Sequence, residues 1–143
     1  RTYCPEVLYV QKAMQQIGVD LFIDVHGDEE IPYNFAMATT KKLQGNRFKK
    51  NFAKVNADFQ TIYDYDNYHS SAEMSCCHSS CGSKGRNKAT DYVAENFDCL
   101  SMIIELSFKN IAGISDSGKQ WSHEGCIKLG ADLLKPISEV LTA

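Results

Sequence analysis

Two residues stand out by type and setting. His26 follows the short apolar run Leu21-Phe22-Ile23-Asp24-Val25 and is followed by Gly27, Asp28 and Glu29. An imidazole at the end of such a run can ligate a metal or act as a general base. Glu105 interrupts a second apolar run, Leu100-Ser101-Met102-Ile103-Ile104-Glu105-Leu106. A carboxylate there is costly to bury unless it is paired or used. Burial disfavours its charged form, which suits it to take and pass on a proton beside a metal. The plainer readings are a histidine satisfied in a turn and a glutamate that is salt-bridged or faces a sheet edge.

A third group is Cys76, Cys77, His78 and Cys81, in a long polar stretch rich in small residues. Structural zinc sites use two separated ligand pairs, and these four residues are crowded together, so the spacing argues against a zinc site. A loop of this length inside a compact domain is usually functional or mobile.

The flanking sequence supplies elements that can position these residues. Residues 21–25 read as a buried strand of a parallel sheet, because apolar residues fall on both faces. His26 then sits where the strand leaves the sheet, and open α/β sheets gather ligands outside the carboxyl ends of their strands. A helix over 5–18 precedes it: Pro5 suits the first turn, Val7, Val10, Met14 and Ile17 form one stripe, and Gly18 ends it. Asp28, Glu29 and Glu30 form an acidic loop, and residues 33–39 can form another strand. Lys41 to about Phe59 reads as a second helix, near 41–55 in the overall architecture, with Phe48, Phe52, Val55 and Phe59 sharing a face and Lys42, Arg47, Lys49 and Lys50 in solvent. Residues 91–96 suit a short helix, and 100–106 a second apolar strand. Ser122 caps a last helix over 122–141, with Trp121 packing just before the cap, His123 at the surface and Pro136 expected to kink or break it. Helix-to-strand alternation of this kind marks an α/β fold.

The chain has 143 residues, enough for one domain with a real core. Its formal charge of −3 provides no general pull toward nucleic acid. No apolar stretch approaches the ~18 residues of a membrane span. The start, Arg-Thr-Tyr-Cys, has no signal-peptide core and no Met, and reads as the beginning of a piece or as a processed terminus. Six cysteines without a disulfide-like arrangement suggest a reducing, cytoplasmic setting.

Several ordered blocks resemble the M14 zinc carboxypeptidases, in particular the cytosolic-carboxypeptidase-like branch. They are Leu21-Phe22-Ile23-Asp24-Val25-His26-Gly27-Asp28-Glu29, then Pro32-Tyr33-Asn34-Phe35, then Tyr92-Val93-Ala94-Glu95-Asn96-Phe97-Asp98-Cys99-Leu100, and last Ile104-Glu105-Leu106-Ser107-Phe108-Lys109. The resemblance covers nearly the whole chain, with the cysteine-rich loop matching least. It implies an α/β/α sandwich with a mixed, largely parallel sheet, and hydrolysis of the C-terminal bond of peptides or proteins. It further implies that His26 matches the later zinc-ligating histidine and that Glu105 matches the glutamate that activates the zinc-bound water. The family's first ligand pair and its carboxylate-gripping motif have no match before His26. Residues 1–143 are therefore expected to be the C-terminal portion of a catalytic domain whose other half lies upstream, and to be weakly active alone.

Acidic C-terminal residues are a common substrate of that branch. They would call for basic groups near the zinc, and Lys84, Arg86 and Lys88 are the candidates. There are two alternatives. His26-Gly27-Asp28-Glu29 itself satisfies His-x-x-Glu, the first ligand pair of the aspartoacylase and succinylglutamate desuccinylase branch, which would need a second histidine from His69, His78 or His123. The other is a binding module without catalysis.

Overall fold

The structure is a computed structural model, and residues 4–64, 88–111 and 121–142 are described. The elements in chain order are α1 (Pro5–Ile17), β1 (Leu21–Asp28), β2 (Phe35–Ala38), α2 (Lys42–Val55), α3 (Ala89–Asn96), β3 (Leu100–Ser107) and α4 (His123–Leu141). The strands form a mixed three-stranded sheet in the order β1-β3-β2. β1 runs parallel to β3, with Leu21 opposite Leu100 and Asp28 opposite Ser107. β2 runs antiparallel to β3, with Phe35 opposite Glu105 and Ala38 opposite Met102.

Side chains alternate across a strand, so the register assigns each residue to a face. One face carries Leu100, Met102 and Ile104 of β3 with Ala36 of β2. These close against Phe48 and Phe52 of α2, Phe59, and Leu129 of α4 to form the main core. Phe52 links the two aromatic neighbours, 6.0 Å from Phe48 and 4.3 Å from Phe59 between ring centroids. Gly45 lets α2 approach the sheet, since a Cβ there would overlap Cβ of Ala38. The opposite face carries Phe22, Asp24 and His26 of β1, Ser101, Ile103 and Glu105 of β3, and Phe35 and Met37 of β2. α3 lies on this side, where Ser101 Oγ donates to the Thr90 carbonyl at 2.9 Å. α1 joins it through Gln15 Nε2, which donates to Tyr92 Oη at 3.2 Å. The result is the expected α/β/α arrangement with a mixed sheet.

Three local expectations change. β1 is at an edge of the sheet among the described residues, and Val25 is 55% exposed rather than buried. An apolar run alone does not distinguish a central strand from an edge strand; β3, in the centre, is the one buried on both faces. α1 buries none of its residues, although its stripe is apolar. α4 continues through Pro136, which is buried within it. Trp121 is partly buried against the core and lies over Gly125, where a Cβ would meet its ring.

Candidate active site at the ends of β1 and β3

β1 extends past Val25, so His26 is inside the ladder rather than beyond it. Its register partner on β3 is Glu105. Residues paired in this way project from the same face of a sheet. Glu105 is on the central strand and 5% exposed, with His26 on one side and the fully buried Phe35 on the other. His26 is on the more open side, its side chain 49% exposed, and its Nε2 lies 3.0 Å from Oδ1 of Asp24. Asp24 and His26 are two residues apart on one strand and so share that face.

The strand ends are tied down around this pair. Asn34, completely buried, accepts a hydrogen bond at Oδ1 from the Ser107 amide at 3.0 Å and donates from Nδ2 to the Asp58 carbonyl at 3.2 Å. Asp28 is buried, and its Oδ1 accepts from the amides of Glu30 and Ile31 at 2.8 and 2.6 Å. The first residue of the acidic loop thus shapes a turn. The Phe108 amide donates to the Asp28 carbonyl at 2.9 Å, and the Phe108 ring covers Gly27, where a Cβ would overlap it. An open cavity of about 540 Å³ runs past His26 and Gly27 to Phe108, Trp121 and His123.

Glu29 is exposed beyond the end of β1. His123 is near the cavity but has Oε1 of Glu124 at 3.0 Å from its Nε2. Among the described residues, no group of three or more His, Cys, Asp and Glu side chains is placed to hold a metal ion. Lys88 is exposed and lines a different groove, between α1 and α3 beside Phe22. Lys84, Arg86, His69, His78 and the Cys76, Cys77 and Cys81 cluster lie outside the described residues. The described cysteines Cys4, Cys99 and Cys126 are free thiols. Burial raises the Cys99 thiol above its ordinary pKa. No helix among the described residues is long and apolar enough to cross a membrane.

The sequence reading assigned no role to Asp24, Asn34 or Phe35. Asp24 shares a face with His26 only because β1 runs on to Asp28, beyond the apolar run that marked the strand in the sequence. The roles of Asn34 and Phe35 depend on β2 pairing beside Glu105, which no local pattern reveals.

The α/β/α fold is metallocarboxypeptidase-like, because solved structures of that class superimpose on it. A metallo-carboxypeptidase from Burkholderia cenocepacia aligns with TM-score 0.74 and 30% identity, over 96% of this chain and 36% of its own. A metallo-carboxypeptidase from Pseudomonas aeruginosa, solved in complex with (2-guanidinoethylmercapto)succinic acid, aligns with TM-score 0.71 and 30% identity over the same shares. Among curated proteins, an uncharacterized protein of Zymomonas mobilis subsp. mobilis is 33% identical over 145 residues, which is 96% of this chain and 35% of that protein. The chain therefore spans about a third of the length of the relatives it matches. No protein-family profile matches it.

Proposed function

We propose that this chain is the C-terminal portion of the catalytic domain of a zinc carboxypeptidase of the cytosolic type, working on peptide or protein C-termini in the cytoplasm. The observation that carries this reading is the pairing of His26 with the buried Glu105 on neighbouring strands, within a fold shared with metallo-carboxypeptidases.

The donor chemistry fits zinc in part. A neutral imidazole is a good zinc ligand, and a catalytic zinc needs about three protein ligands with an open position. His26 would be one of them, and the others would come from sequence upstream. Zinc, when bound, polarises the scissile carbonyl and acidifies a water. The proton transfer belongs to this chain. Glu105, held next to His26 by the β1–β3 register, takes a proton from the attacking water and delivers it to the leaving amine. Phe35 and the buried position keep bulk water from its inner side. The upstream part would also cover the outer edge of β1 and the apolar stripe of α1; the exposure of Val25 and Val10 supports this.

Acidic C-terminal residues remain the substrate class we favour, with Lys84 and Arg86 as candidate contacts; Lys88 lines the groove between α1 and α3 and is set aside. The compound bound by the Pseudomonas neighbour carries carboxylates and a guanidino group. The deciding experiment loads the full-length protein with zinc and offers peptides ending in Glu, Lys or Leu. Stepwise release of C-terminal Glu, abolished by a chelator and restored by zinc, is the expected result. Release of Lys or Leu in preference to Glu would remove the acidic preference, and no release from any peptide would leave a non-catalytic module.

A further inference from the structure

The contact between Asp24 and His26 has a consequence for how a metal would be held. An imidazole has two ring nitrogens, and a ligating histidine usually gives the second to a carboxylate or carbonyl, which sets tautomer and ring orientation. Here Nε2 of His26 lies 3.0 Å from Oδ1 of Asp24, close enough for an N–H to donate. That leaves Nδ1 as the free nitrogen. The pairing follows from local chain geometry. Residues two apart on a strand share a face, so the β1–β3 ladder that holds both residues extended puts the carboxylate on the same side as the ring.

The surroundings explain why such a device is useful. β1 has one hydrogen-bonded neighbour among the described residues, β3, which pairs with the backbone of His26 and leaves its imidazole on the open side. The His26 side chain is about half exposed, and packing alone does not fix its ring. Asp24 is less exposed, at 28%, and is paired in register with the buried Ile103. A partly shielded carboxylate on the same strand is a steadier orienting group than solvent.

We propose that Asp24 is a positioning residue that holds Nε2–H of His26 and reserves Nδ1 for the metal. The proposal rests on His26 being a ligand, as set out above. The test measures zinc affinity of the full-length protein by competition with a chromophoric chelator, for wild type and for Asp24→Ala, Asp24→Asn and His26→Ala. Circular dichroism confirms that each variant is folded. Asp24→Ala should bind zinc about 10–100-fold more weakly. Asp24→Asn, whose carboxamide oxygen can still accept the N–H, should lose less and serves if the alanine variant does not fold. Long-range ¹H–¹⁵N spectra of the zinc form should show His26 protonated at Nε2. If His26→Ala loses zinc while both Asp24 variants bind as wild type, or if the spectra show the metal on Nε2, the role of Asp24 is overturned and His26 stands as a ligand. If His26→Ala binds zinc as wild type does, the underlying zinc reading itself has failed.

Discussion

His26 and Glu105 face each other across the parallel ladder of β1 and β3, one half-exposed at the edge and the other buried in the centre. The asymmetry suits the two tasks proposed for them. A ligand must be reachable by the metal and its other donors, whereas a proton-transferring carboxylate works best where water is excluded.

Substitutions should therefore separate these tasks. In the full-length protein, His26→Ala should lower bound zinc, measured by elemental analysis after dialysis. Glu105→Gln should keep wild-type zinc and lose about 10²–10⁴-fold in kcat, the usual range for a general base. Equal zinc loss in both variants would place Glu105 among the ligands instead.

Gly45 sets a conflict between local and tertiary preference. In an isolated helix, glycine to alanine would stabilise by about 1 kcal/mol. Here the new methyl overlaps Cβ of Ala38 on a β-strand, which has no flexible end to move away. Overpacking of about 1–3 kcal/mol should dominate, so Gly45→Ala lowers stability in urea denaturation. Adding Ala38→Gly should recover most of the loss. A Gly45→Ala variant more stable than wild type would show that α2 has room to spare.

Asn34 fastens the end of β3 next to Glu105 through Ser107 and ties it to the Asp58 carbonyl. Asn34→Ala leaves a buried amide and a carbonyl without that partner, at a cost of about 1–3 kcal/mol. Amide hydrogen exchange at Ser107 should accelerate more than exchange at Met102, in the middle of the strand. Uniform acceleration along β3 would mean that Asn34 acts on global stability alone.

Asp132 predicts a pH dependence. The hydrogen bond from Lys128, followed by that from Asn56 Nδ2 at 2.8 Å, holds its carboxyl below the usual carboxylate pKa. The folded pKa thus lies below the unfolded one. The stabilisation is fully present above the unfolded value, about 3.9, and is lost as pH falls through the folded value. The stability gap between wild type and Asp132→Asn, followed by thermal melts, should be constant near neutrality and close on acidification. A gap that widens in acid would reverse the sign of the argument.

Much of the frame was legible from local pattern. The helices of 5–18, 41–55 and 122–141 appear with shifts of about one residue, because stripes at helical spacing and caps such as Gly18 and Ser122 are local signals. Glu105 was conspicuous for the same reason, as a charge within a run of residues that partition out of water. The same apolar reading failed for β1. Leu21 to Val25 and Leu100 to Leu106 are equally apolar, yet among the described residues one strand lies at the edge and the other in the centre, because neighbours are assigned by distant segments.

The sequence by itself determined which residues prefer burial and which can carry protons or bind a metal, whereas the extension of β1 through Asp28, which puts Asp24 and His26 on one strand face, came from the structure. Only the tertiary structure decided that His26 lies opposite Glu105, that Phe35 closes the other side of that carboxylate, and that Gly45 admits the sheet. These are matters of register and close approach between segments far apart in the chain. They follow from how whole faces pack, since a shift of one residue would turn His26 and Glu105 to opposite sides of the sheet.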